Sequence, residues 1–466
     1  MNEPKSAAPP ETRDLTSPGS AASVPAATIL FVRMWAVAHI IHLTAATGGR
    51  LDTPWNVLVV GAALVLLLRP TSGTWFVVMA VAQLVDLVVE MPYSPDHWML
   101  IAFVNLAILV TMASRRSSSP VTLAAAFPAA RTVLLVCYGA AALAKYNFNF
   151  FDPVTSCATA IAGAASYGIT NRLDVGPVWI VSVLACETLI PILLAIPRTR
   201  RHGVRLGFAF HFMLSASPSF AVVDFTAALF ALFLLFLSDQ EIDSILGRIR
   251  RLASRSAVVR DASRKPWVTA AVALVAFGFL GYLSDRAGTG MVLLASEIYL
   301  FVMLLVVLLT WRSGTGTRPF GRLLWVQVPV IVLALLWAAS PYLGSRTTAV
   351  FTMFSGIRTE GAAPNHLFLP TLHLTDWQDD FVVIESSNDS TLASTDEGRA
   401  GVPLLALRQL ANDNPDLVVV GTMRGERVTF GPGEGQRRLE PLTGWEAKFL
   451  HFRPVAVSDR AFCSVS

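Results

Sequence analysis

The sequence predicts an all-α polytopic membrane bundle of about eleven transmembrane helices, with a small C-terminal β-rich domain outside the membrane. Three observations predict it. Apolar residues fill 54% of the 466 positions and charged ones only 15%, and the mean hydropathy of +0.56 lies far outside the soluble range. Apolar runs of about 16 to 22 residues, the length that crosses a bilayer, recur from residue 26 to residue 343. Beyond 344 the pattern turns to short alternating runs broken by Gly, Asn, Asp and Pro. The net charge of +4 sits in a few loops between apolar runs, so it marks topology and gives no basis for a nucleic-acid partner.

Residues 1–24 are rich in Pro, Ser and Ala, carry both charge signs and have no apolar h-region, so they read as a disordered cytoplasmic tail. Spans follow near 26–46, 55–69, 73–91, 97–113, 130–150, 177–196, 204–218, 220–238, 267–284, 289–311 and 322–343. The basic clusters Arg115 and Arg116, Arg198 to Arg201, Arg248 to Lys265, and Arg312 to Arg322 fall in alternate loops. All of them are cytoplasmic together only with this count or one of the same parity. The expected protein is therefore a multi-pass plasma (inner) membrane protein with its N-terminus in the cytoplasm. Its parts are a membrane domain over 25–240, a basic cytoplasmic loop over 241–266, three further spans over 267–344 and an exterior domain over 345–466. The weakly apolar 151–176 loop is expected to dip back as a re-entrant segment. Strands are expected within Asn365 to Leu374, Phe381 to Glu385, Leu417 to Gly421, Arg427 to Phe430 and Lys448 to Val455.

Ionisable residues inside spans are costly and mark function by default. Lys145 is the sharpest case, either snorkelling to the headgroups or facing a protein interior. His39 and His42 share one helix face; without a Cys or carboxylate at ligand spacing they read as packing in a polar interior, and no metal is expected. Asp86 and Glu90, four apart, call for a cation between them, with Lys145 or Arg33 as suppliers. His97 opens the fourth span at the outer surface. Glu187 and His211 fall mid-span, where a Glu to His hydrogen bond is the simplest account, and Gly207, Ser215 and Ser217 suggest a small-residue packing seam. Cys137 and Cys186 lie in spans; Cys157 and Cys463 both fall on the outer, oxidising side, either bridged or as free thiols. Arg358, Glu360, Asn365 and His366 sit at the junction with the exterior domain and read as structural hydrogen-bonding groups, and Asp376, Asp379 and Asp380 as a solvated turn.

An aromatic-rich helix ends in Ala142-x-x-Lys145-Tyr146-Asn147-x-x-Phe150, followed by Asp152-Pro153 and Ser156-Cys157-Ala158. This stretch resembles the horizontally transferred transmembrane domain family, the family of the vitamin K-dependent γ-glutamyl carboxylases. Ser94 to Trp98 (SPDHW), Glu187 to Pro191 (ETLIP) and Gly207 to Phe212 (GFAFHF) are similar to its histidine loop, acidic position and buried histidine. The likeness covers about residues 25–240, and residues 340–370 resemble the junction in relatives with a small exterior domain. It implies a reduced naphthoquinone cofactor (menaquinol or vitamin K-like), with Lys145 as the base towards it and His97 as an acid-base residue near the substrate carbanion. His211 and Glu187 would line the pocket, with Asn147 close by. The implied partners are membrane lipid and an exported peptide. Tyr146-Asn147-Phe148-Asn149 departs from the carboxylase pattern, and no segment matches a propeptide-binding site. Three readings follow: a quinol-dependent enzyme acting on an exported peptide, a non-catalytic factor for maturation, export or immunity of a secreted peptide, and a transporter. Against transport stands the lack of an internal repeat.

Overall fold

The computed structural model describes residues 24–46, 51–165, 169–173, 175–215, 222–255, 291–309, 318–361, 364–393, 400–457 and 463. The first half is helical. α1 (Ala26–Ile41) runs on into a π-helical turn at His42–Ala46, and α2 (Pro54–Leu68), α3 (Gly73–Glu90) and α4 (Asp96–Ser114) follow. Next come α5 (Phe127–Ala144), α6 (Gly176–Ala195), α7 (Arg200–Ser215), α8 (Val223–Leu234) and α9 (Asp239–Arg255), then α10 (Met291–Leu309) and α11 (Val328–Ala339). Among the described residues five helical stretches are long and apolar enough to cross a membrane: 26–44, 73–90, 96–114, 120–144 and 176–195. Four shorter apolar helices accompany them, at 54–68, 223–234, 295–308 and 325–339. The expected span at 267–284 lies outside the described residues.

Local chemistry sets the helix ends. The Thr53 hydroxyl caps α2 by accepting the Asn56 N–H at 3.1 Å, with Pro54 in the first turn. Pro95 precedes α4, and Pro128 sits in the first turn of α5, where a missing N–H costs nothing. α1 packs on α2 and α8, α5 on α4, α6 and α11, and α7 on α6 and α8.

Two glycines on α7 set its distance from both neighbours. A Cβ at Gly203 would meet the Leu194 amide nitrogen at 2.9 Å, and one at Gly207 would meet the Phe233 ring at 2.6 Å. The pair, four residues apart, forms a small-residue seam. Gly207→Ala is expected to cost about 1–3 kcal/mol through overpacking. Gly61→Ala and Gly139→Ala, in helices with nothing within 4 Å, should gain up to about 1 kcal/mol from helix propensity. Thermal unfolding in detergent of the three variants distinguishes these outcomes.

Arg200, from one of the basic clusters, and Arg131 hold structure together. Arg200 donates to Leu194 O at 2.9 Å and Arg318 O at 2.7 Å, Arg131 donates to Pro319 O at 2.7 Å, and both guanidinium groups lie within 6 Å of the Phe320 ring. They bind the segment before α11 to the ends of α5 and α6. The basic loop expected after residue 241 is instead helical over Asp239–Arg255, with Ile242 and Ile245 buried beneath its charged face. The 151–176 loop holds two short helices, Cys157–Ala165 and Ile169–Arg172. Cys157 is joined to Cys463 by a disulfide, while Cys137 and Cys186 are free.

The C-terminal part has its own apolar core around Val382, Val402, Leu407, Val419 and Phe452. Five strands form one antiparallel sheet in the order β4-β3-β1-β2-β5: β1 (Phe381–Ser387), β2 (Ala400–Pro403), β3 (Val419–Met423), β4 (Glu426–Phe430) and β5 (Val455–Ala456). α12 (Leu404–Asp413) packs beside β2. The β3–β4 turn uses Arg424 and Gly425 at φ 52° and 82°, the left-handed pair that matches strand twist. Residues 365–374 form no strand, against expectation. Asn365 and His366 are drawn into the bundle instead, with Asn147 and His366 forming an isolated bridge. The expected strand over 448–455 shrinks to the two residues of β5, because Gly444–Phe449 is a helical turn.

The sheet domain is clamped to the α3–α4 loop. Arg346, buried, donates to Pro92 O at 2.6 Å and Phe449 O at 3.0 Å, and Lys448 Nζ donates to Val89 O and Met91 O at 2.9 and 3.0 Å. Tyr93 hydrogen-bonds Asp413. His451 stacks edge-on against Tyr93, and burial, with the Arg346 charge nearby, pushes its imidazole down to about 4. A histidine depressed in the fold adds stability above its ordinary value near 6.5, and that stability is lost as pH falls from there towards 4. The loss should total roughly 3 kcal/mol. A denaturation series from pH 7 to pH 4 should show this decline, and His451→Gln should flatten it.

Candidate functional site

Lys145 closes α5 and does not snorkel. It is buried, with Nζ 2.7 Å from Glu187 Oε2 on α6, 2.7 Å from Met353 O and 3.5 Å from Ala141 O. The three contacts match the three donors of an ammonium. Glu187 is 13% exposed at the side chain, so the pair lies close to the outer face of the α5–α6 seam.

The pair faces a pocket with apolar walls from Ile161, Leu214, Val222 and Phe225. Tyr138 and His211 also line it, and the Tyr138 hydroxyl bonds His211 Nε2. His211 Nδ1 is buried with no hydrogen-bond partner among the described residues. The expected Glu187 to His211 bond is thus replaced by two others: Glu187 takes the lysine and His211 takes the tyrosine. A register that places Lys145 about two turns above Tyr138 on the same face of α5 makes both pairings geometrically natural.

One lip of the pocket comes from the segment after α11. Met353 gives its carbonyl to Lys145 and its N–H to Asp96 Oδ2 at 3.2 Å, so one residue links the end of α5 to the start of α4. Ala349, Phe351 and Phe354 in this segment have φ of 55°, 62° and 50°, conformations that L-residues avoid unless their surroundings impose them. Below the lysine an amide cluster fixes the chain. Asn147 donates to Ala144 O and Ser355 O at 2.7 and 2.8 Å and caps the next turn by accepting the Phe150 N–H at 2.9 Å. Asn365 donates to Asn149 Oδ1 at 2.5 Å and Gly356 O at 2.9 Å. Asn147 therefore supports the segment beneath Lys145 and does not line the pocket. Glu360 lies 3.6 Å from Arg453, inside the junction and away from the pocket.

His97 is not in the pocket lining either. Its Nε2 lies 2.6 Å from Asp224 Oδ2 at the start of α8, and His42 Nδ1 lies 2.7 Å from the same oxygen. Phe225, the next residue, separates the two regions: its ring centroid is 6.0 Å from that of His97 and 5.6 Å from that of His211. The three polar side chains are close enough to share one metal ion. Asp224 escaped the sequence reading, although a lone carboxylate opening the run VVDFTAALFALFLL satisfies the same rule that singled out Glu187. His39 belongs to a separate core network, with Nε2 3.2 Å from Asn105 Nδ2; Asn105 also donates to Gln83 Oε1 and accepts from Trp35 Nε1 at 2.8 Å.

Asp86 and Glu90 stand apart from both clusters. Asp86 accepts from Thr53 at 3.2 Å, and Arg33 donates to Leu67 O, so neither expected cation joins the two carboxylates. Lys145, Glu187 and His211 line one pocket, whereas His97, Asn147, Asp86 and Glu90 are not among its lining residues. No known protein family matches the chain, and no curated protein or solved structure matches it either.

Proposed function

We propose that this chain is a membrane-embedded, quinol-dependent enzyme that modifies an exported peptide, and that the Lys145–Glu187 pair is its base. The likeness to the horizontally transferred transmembrane domain family at Lys145 implies this chemistry. The observation that carries the reading is an ion pair and an imidazole nitrogen without a partner among the described residues, gathered on one apolar pocket. A planar apolar ring with a hydroxyl suits that lining: walls from Ile161, Leu214, Val222 and Phe225, and polar contacts from Lys145, Glu187 and His211.

Lys145, Glu187 and His211 would hold a naphthoquinol, which with oxygen would supply the strong base needed at the γ-carbon of a peptide glutamate for carboxylation. The chain's own residues prepare that step. Glu187 accepts the hydroxyl proton, and the Lys145 ammonium, held by Met353 O, places a cation beside the oxygen left behind. His211 directs Nδ1 to a second polar group while Tyr138 fixes its ring. The apolar walls keep water out, so charge on the pair is felt at full strength. In this reading the N-terminus is cytoplasmic, and the pocket and sheet domain face outward, where an exported peptide arrives.

The test is incorporation of labelled bicarbonate into a glutamyl peptide by membranes holding the chain and reduced menaquinone. Incorporation that disappears in Glu187→Gln, which cannot accept the hydroxyl proton, and in Lys145→Arg, whose planar fork does not reproduce the compact ammonium held by Met353 O and Glu187, supports the proposal. Absence of incorporation from the wild type across vitamin K and menaquinone contradicts carboxylation and favours the non-catalytic maturation factor.

A further inference from the structure

The cluster of His42, His97 and Asp224 brings three potential metal-ligand atoms from distant parts of the chain into mutual contact. His42 Nδ1 and His97 Nε2 lie 2.7 and 2.6 Å from the same carboxylate oxygen and 3.1 Å from each other. Both nitrogens can donate to Oδ2, and the two donors then lie 3.1 Å apart with no hydrogen bond between them, so protons account for two of the three short contacts.

We propose that the three side chains bind a divalent first-row transition metal, with zinc as the simplest occupant. The ion replaces the protons and turns all three short contacts into ligand-to-ligand distances. A point about 1.3 Å out of the plane of the three atoms lies about 2.1 Å from each, the bond length that imidazole and carboxylate ligands take to such ions. Two histidines and one carboxylate then occupy one face of the ion, and the opposite positions stay open for water or substrate.

The surroundings are built for the purpose. The ligands come from three helices far apart in sequence: the π-turn after α1, the first turn of α4 and the first turn of α8. A π-turn at a ligand position is a recurrent device at functional sites. Asp224 is buried, and its second oxygen accepts the Phe225 N–H at 2.7 Å, which leaves Oδ2 for the histidines. The His42 ring stacks on Trp98 with centroids 4.0 Å apart, which fixes its plane. His97 keeps 15% of its side chain exposed, so an ion has a route in. The site stands whether or not the Lys145 pocket is catalytic.

The experiment uses the full chain purified in detergent, stripped with a chelator and dialysed against Zn2+ or Co2+. Wild type is expected to retain one zinc per chain by elemental analysis and to develop visible cobalt absorption bands. His97→Gln and Asp224→Asn should weaken zinc binding at least ~100-fold while eluting and unfolding as wild type does. X-ray absorption of the zinc-loaded wild type, showing two imidazoles at about 2.0 Å, decides the matter even where both variants fail to fold. Wild-type protein that retains neither ion overturns the proposal, as does zinc uptake unchanged in both variants; the cluster is then a hydrogen-bonded clasp between helices.

Discussion

Lys145→Met is expected to destabilise the bundle by about 3–5 kcal/mol, because it strands the Glu187 carboxylate in an apolar pocket without its partner. Glu187→Leu should cost a similar amount by leaving the ammonium with backbone carbonyls alone. The double variant Lys145→Met/Glu187→Leu should return to within about 1 kcal/mol of wild type, since replacing both members of a buried pair by apolar groups of similar volume is often neutral or better. A double-mutant cycle on denaturant unfolding in detergent measures the coupling. All three variants should be inactive. A double variant that is stable and inactive separates the chemistry of the pair from its structural part, whereas a stable double variant with wild-type activity removes the pair from the mechanism.

The second large effect is expected at Arg346. Its guanidinium is buried over the Trp337 ring and donates to Thr348, Pro92 and Phe449 carbonyls that belong to three parts of the chain. Burial lowers it to about 10, so it stays charged at neutral pH. Arg346→Ala leaves those carbonyls without a charged donor and should cost about 3–5 kcal/mol. Arg346→Lys should recover only part of this, because a single ammonium does not reproduce the planar fork. The measurable result is a discrete sheet-domain fragment in limited proteolysis, resolved after reduction of the Cys157–Cys463 disulfide, at protease concentrations that leave wild type intact. The same variant should weaken the pocket, since Arg346 holds the loop before Asp96, and Asp96 holds Met353 against Lys145.

The helices were legible because apolar runs of bilayer length carry their own signal, and Lys145, Glu187 and His211 were legible because an ionisable group inside such a run is expensive. Their pairing was not. Whether Glu187 meets His211 or Lys145 depends on how α5, α6 and α7 rotate against each other, and Gly203 and Gly207 set that through close approaches no linear pattern encodes. The pairing of His42 with Asp224 was hidden for the same reason: residues 182 positions apart meet only after α1 and α8 pack. The Met353 carbonyl has no side-chain signature at all. In the C-terminal domain, β1, β3 and β4 followed from alternation, but Ala400–Pro403 is buried at every position and so lacks the alternation that marks a strand. Residues 365–374 alternate yet pair with the bundle, because Asn365 and His366 meet the end of α5.

The most direct test of the Lys145–Glu187 base is oxygen-dependent oxidation of reduced menaquinone by the purified chain, followed by quinol absorbance and oxygen uptake together. Oxidation by wild type that falls at least ~100-fold in both Lys145→Arg and Glu187→Gln is the predicted result, since proton acceptance by Glu187 and charge stabilisation by the fitted Lys145 ammonium each contribute on that order. Wild-type rates retained in either variant would contradict it.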